Sequence, residues 1–166
     1  MSEQKTLTGK AEVLTAMAEH PAVKAIVAWR PESLVDAKFD RGELTLFVDA
    51  ESVREAASTL KAAGYNFFED LTAVDWNQSG MRFQISYHLL SHSLREHIRL
   101  ATRVTAEEPV VDSITPVWPS ANYYEREVFD LFGIRFEGHG NLRRIMLPEE
   151  FVGHPLRKDF PVEGYR

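Results

Sequence analysis

Three histidines close together in the sequence, His88, His92 and His97, are the first residues that could do chemistry, since imidazole binds transition metals and carries protons near neutral pH. Their spacing completes no ligand set. No local carboxylate motif accompanies them, and on strands joined by a turn they need not face one site, so solvated histidines are the plainer expectation. The acidic pairs Glu69 with Asp70 and Glu149 with Glu150 are adjacent rather than opposed. That spacing suits solvated surface acids better than a general acid facing a general base. No serine lies in a GxSxG string, and Gly153-His154-Pro155 is not a nucleophile turn. There is no GxGxxG or Walker A string, and Gly138-His139-Gly140 is too short to cradle a phosphate.

Cysteine is absent, which removes more chemistry than any other count. Without thiolates the chain forms no disulfide, runs no thiol redox chemistry and cannot ligate an iron-sulfur cluster in the usual way. With 19 basic and 25 acidic residues the formal charge is −6, a balance that argues against nucleic acid and anionic membrane as partners. Residues 120–166 hold 7 basic and 8 acidic residues, so no basic tail is hidden in the total. The start, MSEQKTLTGK, lacks the apolar core of a signal peptide, and the longest apolar run, Ala25 to Trp29, is far short of a membrane span. The expectation is a soluble cytoplasmic protein of one structural unit.

The elements that must position these residues read as an α+β domain over residues 1–120, followed by a short helix and an extended C-terminal tail over 121–166. Leu7, Val13, Leu14 and Met17 predict a helix over 8–19, ended by Pro21. Strand-like runs follow at 23–30, 34–39 and 44–48. Ser52 and Glu55 have capping-box spacing ahead of a helix whose face is Val53, Ala56, Ala57 and Leu60, with Gly64 at its C-cap. Residues 67–76 predict another strand. The clearest period comes next, Phe83, Ile85, Tyr87 and Leu89 alternating with Arg82, Gln84, Ser86 and His88, and a last strand lies at 96–104. Local hairpins and one crossover helix point to a mixed, largely antiparallel sheet with helices packed on it.

The tail is the densest part of the chain. Asn122 has capping-box spacing to Glu125, Gly133 fits the C′ position, and Tyr124, Val128 and Leu131 form an apolar stripe, so residues 122–132 predict a helix. Arg126 and Asp130, one turn apart, can pair along its remaining face. From Glu125 to Pro161 charged residues crowd between aromatics and prolines without a sustained period. Structureless stretches beyond roughly 12–15 residues are uncommon in compact domains unless they bind something or are disordered. The aromatic content argues against disorder.

EREVFDLFGIRFEGHGNLRR followed by GHPLRKDFP resembles the signature of the thirty-kilodalton (C) subunit family of respiratory complex I, the proton-translocating NADH-quinone oxidoreductase. The resemblance rests on Glu125, Arg126, Glu127, Asp130, Leu131, Phe132, His139, Arg143, Ile145 and Met146, and covers about residues 117–161. A segment from Gly64 to Asp75 also matches, and the stretch before Arg41 adds little. One position departs: the family often has proline after the histidine of its EGH segment, where this chain has Gly140.

The resemblance implies a non-catalytic scaffold in the hydrophilic arm of a translocase that passes electrons from NADH to quinone. This chain would bind no cofactor, FMN, iron-sulfur clusters and quinone being held by partner subunits. Those partners would be the quinone-binding (D-type, forty-nine-kilodalton) subunit and the cluster-bearing (B- and I-type) subunits. Membrane association, on the cytoplasmic side, would come only through the complex. It also implies that Glu125, Arg126, Glu127, Asp130, His139, Arg143, Arg144, His154, Arg157, Lys158 and Asp159 organise the helix, the tail and the interface, none of them catalytic. The residues beyond Gly133 are expected to lie against another subunit, leaving the preceding domain with its own core. The alternatives are an equivalent subunit of a membrane-bound nickel-iron hydrogenase or of a ferredoxin- or F420-linked oxidoreductase and, more distantly, a stand-alone metal-dependent enzyme.

Overall fold

A computed structural model describes residues 6–163. In chain order the elements are β1 (Leu7–Thr8), α1 (Lys10–Ala16), α2 (Pro21–Trp29), β2 (Leu34–Asp40), β3 (Glu43–Val48), α3 (Val53–Ala62), β4 (Phe67–Asp75), β5 (Phe83–Ser91), β6 (Glu96–Val104), β7 (Val110–Asp112), α4 (Ala121–Phe132) and β8 (Arg135–Glu137). A 3-10 turn, Ala50–Ser52, leads into α3.

The main sheet has the order β1-β2-β3-β6-β5-β4. Hairpins join β2 to β3, β4 to β5 and β5 to β6, and the parallel pair within it is β3 with β6, reached by the crossover through α3. The sheet is therefore mixed and mostly antiparallel, as the alternating pattern predicts. Register carries the period-two rule across the sheet: Leu46, Leu100, Tyr87 and Leu71 are successive cross-strand neighbours, all buried on one face. Val13, Ile26, Val53 and Leu60 from the helices join them in a single core.

The first helix is shorter than expected, because Leu7 and Thr8 pair with Phe39 and Lys38 as a strand. Residues 23–30 are not a strand but most of α2. Pro21 occupies its first turn, and the His20 Nδ1 accepts the Ala22 N–H. A short apolar run carries no period that separates strand from helix, and here the capping decides. Ser52 offers no capping bond to α3; it is buried in the 3-10 turn, and Glu55 turns instead to Arg30 at 3.4 Å.

The opposite face of the sheet carries polar side chains. Arg99 Nε donates to His88 Nε2 at 3.0 Å, which leaves Nδ1 as the protonated nitrogen that donates to Asp70, and Arg99 Nη2 donates to Glu43 at 2.6 Å. His97 pairs with Glu69 at 2.8 Å, and His92 lies edge-on to Phe67. His92 and His97 are exposed, as expected of solvated histidines, whereas half-buried His88 pairs with Asp70 on the adjacent strand, and Glu69 reaches His97 across β5. Among the described residues no group of three or more His, Asp or Glu is arranged to hold a metal.

The residues just beyond Gly133 belong to the domain rather than to a separable arm. Ile134 and Phe136 are 0% and 3% exposed and lie in the common core, and β8 pairs in parallel with β7 to form a second, two-stranded sheet. Burying two such side chains stabilises by roughly 1.5–3 kcal/mol each. A chain ending at Gly133 should therefore melt about 10 °C or more below one ending at Gly138, which keeps both. Calorimetry of the two truncations checks this, and equal midpoints would show that β8 adds nothing.

Candidate functional site

The site is α4 and the segment it organises. Its first turn differs from expectation. Ser120 is the N-cap, without a side-chain bond, and Asn122 sits inside the helix with a buried Oδ1 that has no protein partner among the described residues. Glu125 does not reach back to a cap. It points across to the strand-following loop, accepting from Ile114 N at 2.7 Å and Ser113 Oγ at 2.6 Å, and is fully buried. Burial pushes its carboxyl up to about 7, against the opposing pull of those two hydrogen bonds.

The far end of α4 is where the tail is held. The last carbonyls of a helix have no partner within it and must find one elsewhere. Gly133, at φ 71°, donates its N–H to Phe129 O at 2.8 Å, the left-handed cap that its type suggests. The next three carbonyls are taken by the tail. Asp130 O accepts from His154 Nδ1 at 2.9 Å and Arg144 Nη1 at 3.2 Å, Leu131 O from Leu156 N at 3.1 Å, and Phe132 O from Arg157 Nε at 2.5 Å. The two arginines also place positive charge where the helix dipole is negative. His154 is held towards its neutral form, first by burial and then by Arg157 and Arg144. A Cβ on Gly133 would meet the His154 ring at 2.6 Å and Arg157 at 2.7 Å, so the absence of a side chain there is what lets the tail close on the helix.

Arg126 and Asp130 do not pair with each other. Both read the backbone of the tail instead. Arg126 donates to Arg143 O and Arg144 O, each at 3.1 Å. The Asp130 carboxylate, fully buried, accepts from the N–H groups of Ile145, Met146 and Leu147 at 2.9, 2.7 and 2.9 Å and from Arg144 Nη1 at 2.5 Å. Burial alone would raise its pKa, but the three amides and the guanidinium outweigh burial and hold it below the usual range. Arg144 goes on to donate to Phe151 O and Gly153 O, both at 3.0 Å.

A second anchor lies at the end of the sheet. Asp75 takes a bidentate pair from Arg82 at 2.9 and 2.6 Å, an amide from Asn77, and the Lys158 N–H at 2.8 Å. Arg82 above all, with the two amides, holds Asp75 far below the usual carboxylate range. Arg82 then donates to Asp159 at 2.8 Å, and Arg82 and Arg157 both lie against the Phe83 ring, at 5.0 and 5.1 Å.

Most of the residues that the sequence singled out are therefore occupied within the chain. Glu125 and Asp130 are buried, and Arg126, Arg144, His139, His154 and Arg157 are half-buried. His139 Nε2 faces Asn122 O at 3.4 Å, and its Nδ1 accepts from Asn141 N. Glu127, Arg143, Lys158 and Asp159 remain exposed. Gly140, the departure from the family pattern, has open space around it, so nothing in the packing demands glycine.

What the sequence reading missed is the apolar part. Because the tail is gripped by its backbone, side chains between the anchors point away. Met146 is 60% exposed, Val152 66% and Leu156 48%, and Tyr123 lies exposed one turn before Glu127 on α4. A run of exposed apolar residues on an ordered segment marks an interaction surface. Sequence gives no sign of it, since apolar residues are read as core by default.

The comparisons with known proteins agree with this region. The family described as "Respiratory-chain NADH dehydrogenase, 30 Kd subunit" matches residues 46–166. The chain is 43% identical to the C subunit of NADH-quinone oxidoreductase from Roseiflexus castenholzii over 148 residues, 87% of this chain and 85% of that one. It is 43% identical to the same subunit from Rhodobacter capsulatus over 157 residues, 93% and 76% of the two chains. Among solved structures, a trypsin-resistant fragment of Nqo5 matches with TM-score 0.63 and 30% identity, covering 73% of this chain and 99% of the fragment. A chain of the membrane-bound sulfane sulfur reductase, an archaeal respiratory membrane complex, matches with TM-score 0.73 and 28% identity, covering 87% and 86%.

Two predictions test the site. Asp130→Ala leaves Arg144 and three amides without their acceptor, a loss of about 3 kcal/mol or more. Amide exchange at Ile145, Met146 and Leu147 should then quicken roughly 100-fold, with β5 nearly unchanged. Equal loss in β5 would mean that the whole fold depends on this carboxylate. For Glu125 the folded pKa lies above the ordinary 4.5, so the folded chain binds the extra proton between about 4.5 and 7. Stability is full below that window, falls as pH rises through it and levels off above. Glu125→Gln should remove roughly 3 kcal/mol of that fall. Urea midpoints of both proteins across pH 4–8 measure it, and parallel curves would refute the buried carboxyl's part.

Proposed function

The chain belongs to the family of the respiratory-chain NADH dehydrogenase 30 Kd subunit, and on that premise we propose that it is a non-catalytic structural subunit of the peripheral arm of complex I. In this reading electrons pass from NADH through FMN and iron-sulfur clusters to quinone entirely within partner subunits, coupled to proton translocation. This chain holds the quinone-binding and cluster-bearing subunits in register. It sits on the cytoplasmic side of the membrane through those partners; among the described residues no helix is long and apolar enough to cross a bilayer.

The observation that carries the proposal is the division of labour in the tail. The charged side chains of Arg144, Arg157 and Asp159 are spent on α4 and Arg82, and the apolar side chains of Met146, Val152 and Leu156 are left in solvent. Catalysis needs the reverse, polar groups held free and aimed at a substrate. An ordered backbone with outward apolar side chains suits a surface that a second protein covers, since ordering is already complete before binding. The 43% identity to proteins named for NADH-quinone oxidoreductase supports the NADH-linked machine over the hydrogenase-like alternatives.

The experiment is isolation of the complex from native membranes through its NADH-oxidising, flavin-bearing subunit. The chain should co-migrate with it, and consistent absence would end the proposal. Replacing Met146, Val152 and Leu156 together by Glu should leave the melting midpoint within a few degrees, because exposed positions contribute little to folding. The same variant should cut incorporation, and with it membrane NADH:quinone activity, by about ten-fold or more. Full incorporation of the folded variant would show that the partner surface lies elsewhere.

A further inference from the structure

β3 ends at Val48 beside β6, which runs two residues further to Val104, and beyond these ends the surface is hollow. Two adjoining cavities, of about 960 and 350 Å³, share Ala50, Glu51, Met81 and Arg103 as a common wall. Together they make a groove longer than a compact ligand needs, since small-molecule pockets run to roughly 300–1,000 Å³. Its apolar parts are uncovered: Met81 is 56% exposed, Val35 58%, and Phe47 is half-buried beneath Arg103, whose guanidinium lies 5.0 Å from the ring.

The walls are acidic. The larger cavity is lined by Glu32, Asp36, Asp49, Glu51 and Glu55, and the smaller adds Glu108, Asp112 and Glu137, against Arg30 and Arg103 as the basic lining residues. Arg30 is already engaged by Glu55 at 3.4 Å, and Asp112 has Arg54 at 3.4 Å. Among the described residues Asp49, Glu51 and Glu108 have no salt-bridge partner, and all three are exposed. Unneutralised carboxylates around an apolar floor repel nucleic acid, an anionic membrane or a second copy of this −6 chain. They attract a chain with cationic heads on apolar stems, and lysine and arginine have that form. The groove also adjoins the tail's own anchor, because Met81 is followed by Arg82, which binds Asp159.

Resting on the reading that the chain works within a larger complex, we propose that this groove binds an extended segment of a neighbouring protein of that complex, one that carries lysine or arginine beside apolar side chains. Asp49, Glu51 and Glu108 meet the charges, and Met81, Phe47 and Val35 take the stems and apolar side chains. Through Met81 the groove is continuous in sequence with Arg82, which holds Asp159 of the tail.

The test uses the assembled complex. The chain carrying benzoylphenylalanine in place of Met81 is expressed in its own cells, the complex is isolated through another subunit and irradiated, and the cross-linked peptide is sequenced. The expected product joins one segment of another subunit with more Lys and Arg than Asp and Glu. The yield should fall about ten-fold when Glu51→Lys and Glu108→Lys are added, as the loss of two charge pairs predicts. A product with a neutral or acidic segment, with another copy of this chain or with its own residues 164–166 overturns the inference. So does the absence of any product, or a yield that the two lysines leave unchanged. Presence of the chain in the complex with any of these results overturns the groove alone, whereas a chain missing from the complex removes the structural-subunit reading and the groove together.

Discussion

The constraint on which the C-terminal third depends is the end of a helix. α4 finishes against the body of the protein, and its final carbonyls cannot all be left to water. The chain answers with its own later residues: His154, Leu156, Arg157 and Arg144 supply the missing donors. Asp130 does the complementary work on the same turn, offering a carboxylate to three amides of the segment that Arg126 holds by its carbonyls. The tail therefore has little regular secondary structure and is nonetheless fixed. Its hydrogen bonds run to α4 instead of to a neighbouring strand, and the accounting of buried backbone groups still closes.

This explains which parts of the molecule were legible from sequence. Where apolar residues alternate with a fixed period the sequence is explicit, and β5 is the clearest case: Phe83, Ile85, Tyr87 and Leu89 all lie in the core, although Gln84 and Ser86 between them are buried as well. The amphipathic α3 and the glycine-ended α4 were equally readable. α2 was not, since its run Val23 to Trp29 is apolar at almost every position and the signal for a helix sits in His20 and Pro21 ahead of it. The site was half legible. Its residues stood out by type and spacing, but type suggested side chains paired with one another or with a partner, whereas Arg126, Arg144, Arg157 and Asp130 mainly address backbone atoms. A sequence shows no backbone groups left wanting, so this use of charge has no local signal.

Backbone recognition by charged groups has a consequence for function. A side chain that packs into a core can no longer contact a partner, and a tail docked through apolar side chains would be consumed by docking. Here the docking bonds run through peptide groups, so the side chains of Ile145, Met146 and Val152 keep their freedom to make contacts. The cost is that buried charges must be matched. An ion such as Asp130 is tolerable only while its amides and Arg144 are all in place, and removing one partner leaves the others stranded. That dependence makes the tail cooperative: it is either fully closed on α4 or released over many residues at once.

Cooperativity of this kind lowers the cost of any contact that the tail goes on to make. A loosely ordered arm would lose affinity at each contact to the entropy of ordering it, at about 1–2 kcal/mol for every residue fixed. Closing the tail on α4 before assembly moves that cost into folding, where the shared core of Phe132, Ile134 and Phe136 offsets it. The second anchor at Asp75 and Arg82 extends the argument, because it ties the tail to β4 and β5 as well as to the helix. A displacement at the helix end is thus resisted from the sheet, and the exposed apolar residues between the two anchors are presented in one arrangement. It is the spacing between Asp130 and Asp75, two buried carboxylates on different elements, that sets where the tail's surface can be.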